Sequence, residues 1–248
     1  MKKTLCILLA LMFLFLCSCA EHPIATTEIT TGTTGQTTAA TTAKREPDKI
    51  IALTFDDGPD ATVMPKLLKV LEKYDAKATF FLIGSRIDMK SAEIVKQAYD
   101  AGHEIANHSF SHMDMSDMTE EKVLTEFQKV QDIVKQITGE EPRLFRPPFL
   151  QVSDVMFASI DVPMISGRTV CDYSGGTAKE IADEAIQNAN DGRIILMHVM
   201  NPTVEALDIL IPWLYNYGFE TVTVSELFER KGIDLTANDI LYRDEAAQ

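Results

Sequence analysis

The stretch Lys49-Ile50-Ile51-Ala52-Leu53-Thr54-Phe55-Asp56-Asp57-Gly58-Pro59 decides how the chain is read. Residues 49–55 are mostly apolar and too short a run for a helix, which predicts a strand buried on both faces. A Gly-Pro pair ends it. Strands of this kind belong to parallel sheets covered by helices. Two adjacent carboxylates follow at once, and like charges beside a sheet edge repel. Either a cation offsets that repulsion, or the pair is a helix cap and a solvated aspartate before a turn. On this stretch alone both readings stand.

Outward from it, short apolar runs alternate with helical patterns. Leu67, Leu68 and Leu71 keep helical spacing over 65–74, and Pro65 suits a first turn. Further strands are predicted over 78–83, 104–107, 162–166, 194–198 and 219–224, with an extended segment over 142–149. Helices are predicted over 92–101, 119–138, 178–189 and 204–217. Gly102 and Gly139 act as stops and Thr119 as a cap. This alternation predicts an α/β fold, a mostly parallel sheet with outer helices, and the length favours a barrel, open or closed. Sites on such sheets lie at the C-terminal strand ends.

The polar motifs fall in those places. His108-Ser109-Phe110-Ser111-His112 spaces two imidazoles by four, on one face if the segment is helical. Two imidazoles and one carboxylate make a zinc-type catalytic ligand set with open positions. Two exposed loop histidines would look the same. Phe145-Arg146-Pro147-Pro148-Phe149 sets an arginine on a stiff, extended backbone, where it can grip a carboxylate with two donors or simply lie on the surface. Cys171-Asp172-Tyr173 by itself reads as a turn. Ile194-Ile195-Leu196-Met197-His198 ends a β-branched strand in a histidine, and a terminal histidine is often only a satisfied polar residue. His103 begins a strand and reads as structural. Each motif is weak alone, but all five fall at predicted strand ends or in the loops after them.

Composition narrows the partners. The chain has 248 residues and a net charge of −14. So acidic a chain is a poor match for nucleic acid or for an anionic membrane surface. Residues 1–19 read as a secretory leader: Lys2 and Lys3 precede an apolar run over 5–16. Leu16-Cys17-Ser18-Cys19 resembles a lipoprotein processing site, which would place a lipid on Cys19 and anchor the secreted protein to the outer face of the cell membrane. A plain signal peptide cut nearby is the alternative. Residues 20–46 read as a flexible linker, with ten threonines between 26 and 45 and no apolar period. The body spans 47–232 and a polar tail 233–248. Cys171 is the one cysteine beyond the leader, so the body holds no internal disulfide. A lone cysteine is more often a packing residue than a nucleophile. The chain is expected to act as a monomer.

Together the motifs resemble the polysaccharide deacetylases with a NodB homology domain, carbohydrate esterase family 4. Thr54-Phe55-Asp56-Asp57-Gly58-Pro59, His108-Ser109-Phe110-Ser111-His112 and Arg146-Pro147-Pro148-Phe149 match that family's first three motifs. Lys77–Phe81 and Gly102–Ile105 match its usual strands, and the resemblance covers 48–230. It implies a distorted (β/α) barrel that removes acetyl groups from a polysaccharide, either N-acetyl amino sugars or O-acetyl xylan. It implies one divalent metal ion, zinc first and cobalt or nickel otherwise, on Asp57, His108 and His112. Asp56 would be the general base, oriented by Arg146, and His198 the general acid, held by Asp172. Phe149, Leu196 and Tyr173 would line the substrate pocket, with the Phe149 N–H facing the oxyanion. The chain departs from the family pattern at Leu150, where glycine is usual, at Tyr173 for tryptophan, and at Thr169 and Val199 for aspartates. Ile165-Ser166-Gly167 through Cys171-Asp172-Tyr173 is similar to an acetylxylan esterase-like branch. A second reading is a carbohydrate-binding lipoprotein on the same fold without turnover. The intact Asp-Asp and His-x3-His motifs favour the enzyme, because a binder needs no metal-plus-base set. A purely structural metal site would close four ligands, and only three are offered.

Overall fold

The computed structural model describes residues 47–234. The expected leader and linker, and nearly all of the polar tail, lie outside the described residues.

Strand β1 (Lys49–Gly58) is the hub of the sheet. It runs parallel to β5 (Arg193–His198), in register from Ile51 opposite Arg193 to Asp56 opposite His198. Its other edge is shared: β6 (Phe219–Val222) pairs with residues 49–52, and β2 (Thr79–Leu82) with residues 54–58. Beyond β2 lies β3 (Glu104–Asn107), and beyond β5 the two-residue β4 (Arg168–Thr169). The order is β3-β2-β1-β5-β4. Single bridges from Asn107 to Phe145 and from Phe145 to Met164 then carry the sheet round from β3 toward β4. All these pairings are parallel, which is the expected α/β architecture with a distorted curl. The strand expected over 162–166 shrinks to the bridge at Met164. Pro163 has no N–H to give to a ladder, although its carbonyl still accepts from Phe145 at 3.0 Å.

The period of two along β1 sorts the core. Ile51, Leu53 and Phe55 face one apolar cluster, whereas Ile50 and Ala52 face another with Phe81, Ala106 and Ile194. Thr54 and Asp56 follow Ile50 and Ala52 on that second face. The β1–β2 register slips between Phe55 and Gly58, and Asp57 takes φ 68°. This bulge ends the alternation and turns two successive carboxylates toward the same end of the sheet.

Seven helices in the described residues pack outside. They are α1 (Met64–Lys73), α2 (Met89–Asp100), α3 (Glu120–Thr138), α4 (Asp154–Ser159), α5 (Ala178–Gln187), α6 (Asn201–Asn216) and α7 (Val224–Lys231). Val123, Phe127, Val130 and Val134 form the buried stripe of α3, and Gly139 closes it at φ 90°. Thr119 stands at the α3 N-cap, but its side chain makes no capping bond there; Glu120 and Glu121 in the first turn complement the dipole instead. Helices α4 and α7 are additions to the sequence reading. Helix α4 has six residues, too few to show a period. Helix α7 starts inside the strand expected over 219–224, because the Thr223 hydroxyl accepts from the Glu226 N–H and caps it. No helix among the described residues is long and apolar enough to cross a membrane.

Candidate active site

The C-terminal ends of β1, β3 and β5 converge on a cavity of ≈ 640 Å³ lined by Asp56, Asp57, His108, His112, Phe149, Tyr173, Leu196 and His198. Arg146 and Asp172 lie beneath its floor, both fully buried. All ten residues singled out from the sequence therefore fall at one end of the sheet.

Of the two readings of the His-x3-His spacing, one face of a helix or a loop, the structure has the loop. Residues 108–112 form a loop, with Ser109 at φ 63° and His112 at φ 58°. Helix α3 holds that loop from outside. Asn107 Nδ2 donates to the Phe127 carbonyl at 3.0 Å and to Gln131 Oε1 at 2.9 Å, while Asn107 Oδ1 accepts from the Ser109 N–H at 2.9 Å. Glu126 Oε2 accepts from both the N–H and the hydroxyl of Ser111, at 2.7 and 2.8 Å. The His112 N–H donates to Ser109 Oγ at 3.0 Å.

Asp57 Oδ1 lies 3.2 Å from His112 Nε2 and 3.5 Å from His108 Nε2. One ligand atom from each of the three residues lies within 4.8 Å of the others. The Asp57 oxygen is buried yet has no hydrogen-bond partner. Donors ~2.0–2.1 Å from a tetrahedral cation stand about 3.3 Å apart, close to the two distances from Asp57 Oδ1. His108 Nδ1 donates to the Arg146 carbonyl at 2.7 Å, so its Nε2 lone pair faces the same point. Burial holds His108 below its ordinary pKa, with the Asp56 charge opposing, and a neutral imidazole is the form a cation needs. These residues fit one divalent cation with positions left open.

Asp56 has different company. Arg146 Nη1 donates to its Oδ1 at 2.5 Å and to Thr54 Oγ1 at 2.9 Å. The other arginine donors go to the carbonyls of Ile165 at 3.0 Å and Ser166 at 3.1 Å. Phe81 supports the guanidinium from below, 3.9 Å from ring centre to Cζ. Asp56 Oδ2 remains toward the cavity, 3.8 Å from His108 Nε2.

Across the cavity, His198 Nδ1 donates to Asp172 Oδ1 at 3.0 Å, and the His198 N–H donates to Asp172 Oδ2 at 2.6 Å. Burial alone would lower the His198 pKa, but the Asp172 hydrogen bond and charge outweigh it and the value is raised. Phe149 and Tyr173 stand at the rim, 61% and 63% exposed, each with an edge against an imidazole, His112 and His198 respectively. Leu150, Thr169 and Val199, three of the departures from the family pattern, also line the cavity. Sequence reasoning passed over Arg86, which lines the mouth and donates to the Asp57 carbonyl, and over Phe81 and Thr203. A buried threonine or phenylalanine carries no mark in sequence that separates support from packing.

The polysaccharide deacetylase family matches residues 43–161. A bifunctional xylanase/deacetylase of Pseudobutyrivibrio xylanivorans is 40% identical over 190 residues, covering 75% of this chain and 31% of that protein. The chain thus spans about a third of that relative's length. A peptidoglycan-N-acetylglucosamine deacetylase of Bacillus cereus is 36% identical over 196 residues, covering 74% of this chain and 90% of that protein. Among solved structures, a family 4 acetyl xylan esterase from Clostridium thermocellum in complex with a cobalt ion superposes with a TM-score of 0.77 at 36% identity, over 79% of this chain and all of that one. The first three motifs that meet at this cavity lie within residues 43–161, and the chain belongs to the polysaccharide deacetylase family.

Proposed function

We propose that the domain hydrolyses acetyl groups from a carbohydrate polymer, with one divalent cation on Asp57, His108 and His112. The observation that carries this reading is the contrast between two adjacent carboxylates. Asp57 offers an unpartnered oxygen beside two imidazoles, while Asp56 is gripped by Arg146. A ligand set of two nitrogens and one oxygen without cysteine suits zinc, and also cobalt or nickel.

A cation held there supplies Lewis acidity, which polarises a carbonyl and eases proton loss from water. Asp56 Oδ2 accepts one proton of the attacking water. Arg146 fixes the Asp56 rotamer. His198 commits Nδ1–H to Asp172, whose hydrogen bond and charge favour the imidazolium against burial, and that second proton sits on Nε2. It passes that proton to the leaving oxygen or nitrogen as the bond to the acetyl carbon breaks. One water is consumed, and acetate and a free hydroxyl or amine are released. Phe149 and Tyr173 present flat apolar faces at the rim, suited to the C–H faces of sugar rings. The relatives' names include both a xylan-linked and a peptidoglycan-linked deacetylase, so both acetyl esters and acetamides are candidate substrates. The setting inferred is extracellular, on the leader-like sequence of residues 1–19 alone.

The test is acetate release from acetylated xylan, chitin oligomers and peptidoglycan, with and without a chelator. Release from at least one polymer, lost on chelation and restored by zinc or cobalt, is the expected result. Polymer binding with no acetate from any of the three would favour the carbohydrate-binding alternative.

A further inference from the structure

Asp172 is fully buried and accepts four hydrogen bonds. Three come from its own neighbour and from His198: the Tyr173 N–H at 2.8 Å, the His198 N–H at 2.6 Å and His198 Nδ1–H at 3.0 Å. The fourth comes from elsewhere in the chain. Thr203 Oγ1 donates to Asp172 Oδ2 at 3.0 Å. Thr203 is itself fully buried, in the first turn of α6, immediately beyond the residues that link β5 to that helix.

We propose that Thr203 is a positioning residue for the proton-donating pair His198–Asp172. The inference rests on the deacetylase reading above. Oδ2 has two donors, the His198 N–H and the Thr203 hydroxyl. Without the hydroxyl only the first would remain. A buried carboxylate with fewer donors is more basic and freer to rotate. It would then hold the Nδ1 proton more tightly and aim the ring less well, and both changes slow delivery of the Nε2 proton. In that step the proton leaves His198 Nε2 for the departing oxygen or nitrogen. The electron pair of the breaking bond to the acetyl carbon receives it, and His198 is left neutral until solvent reprotonates it. No other species is consumed.

This role has a signature that packing lacks. Only a poor leaving group needs the proton. A sugar hydroxyl or amine is poor, whereas 4-nitrophenolate leaves unaided. The experiment compares wild type, Thr203→Val and Thr203→Ser on two probes, the acetylated polymer that the wild type deacetylates and 4-nitrophenyl acetate. Thr203→Val keeps the volume and loses the donor, and Thr203→Ser keeps the donor. The expected result is about a tenfold loss of kcat on the polymer for Thr203→Val, with KM within twofold and the aryl acetate rate unchanged. Thr203→Ser should recover most of the polymer rate. Equal losses on both probes, a change confined to KM, or a serine variant as slow as the valine one would overturn the proposal. So would a valine variant as fast as wild type. A wild-type protein that releases acetate from no polymer would instead overturn the reading beneath it, which keeps the two failures distinct.

Discussion

Asp56 and Asp57 are adjacent in the chain but have opposite electrostatic partners. Asp56 spends one oxygen on the buried Arg146 and keeps the other toward the cavity. Changing Asp56 to Asn preserves the shape, because an amide oxygen can still accept from Arg146, but removes the proton acceptor. Acetate release should fall by roughly 10²–10⁴, the usual worth of a general base. Metal content, measured by atomic absorption, should stay at the wild-type level, and an Asn variant at full rate would end the assignment. His103 shows a different residue-scale effect. It is buried edge-on to Phe80 with an unpartnered Nδ1. Burial, then the nearby Lys77 charge, lowers its pKa from 6.5 to about 4. A folded-state pKa below the unfolded one means the unfolded chain binds the proton first. Stability from this group is therefore complete above pH 6.5 and drains as the pH falls toward 4, by up to about 3 kcal/mol. Glu104 next to it works in the other direction, since burial raises its pKa. The test is thus a difference: urea midpoints of wild type and His103→Gln between pH 7.5 and 4.5. Wild type should lose ground to the variant as pH falls, and parallel curves would show that His103 takes up its proton at the same pH folded and unfolded.

Between β3 and α3, one amide joins the packing to the site. Gln131 accepts from Asn107 through Oε1 and donates to the Pro142 carbonyl through Nε2 at 2.9 Å. Asn107 in turn holds the loop that carries both histidines. Gln131→Leu leaves a buried carbonyl without its donor, a loss of about 1–3 kcal/mol. It should also weaken metal affinity severalfold by calorimetry, since a loosened outer support costs binding. Unaltered affinity alongside a lowered melting temperature would mean that α3 supports the fold and not the loop. This coupling explains why the site was only partly legible in sequence. The apolar run of β1, the stop at Gly139 and the strand end at His198 read correctly, because burial and chain stops leave local marks. The spacing of His108 and His112 was noticed for a helical reason, yet they meet because Ser109 and His112 adopt left-handed backbone angles. Those angles are held by Asn107 and Glu126, and Asn107 is in turn held by Gln131, 24 residues from it in sequence. The strand over 162–166 failed at Pro163, where one missing donor outweighed the apolar pattern. Helix α7 begins where Thr223 caps it, and β-branched residues alone read as more strand. Arg146 was recognised as a grip on a carboxylate, but its bonds to Thr54, Ile165 and Ser166 depend on closure of the sheet.

For the whole domain, a cation would tie together segments distant in the chain. Asp57 ends the central strand, while His108 and His112 lie in the loop after β3, and nothing but the fold brings them together. Binding that requires this arrangement adds to folding stability, ~2.7 kcal/mol at a hundredfold excess over Kd. One kcal/mol moves the melting temperature of a domain this size by roughly 2–4 °C, so zinc should raise it by about 5–10 °C. Truncating His112, whose side chain is partly exposed in a loop, should cost little without metal and abolish the rise. Asp57→Asn makes the sharper case. Without a cation, Asp57 places a carboxylate beside Asp56 with a buried oxygen that nothing satisfies, and removing its charge relieves that repulsion. The metal-free Asn variant should therefore melt at or above the metal-free wild type, and below it once zinc is added. This crossing of the two orders is the mark of a residue retained for a ligand at the expense of the empty fold. If Asp57→Asn melts lower under both conditions, the aspartate stabilises the bulge itself and the cation is not what its carboxylate is for.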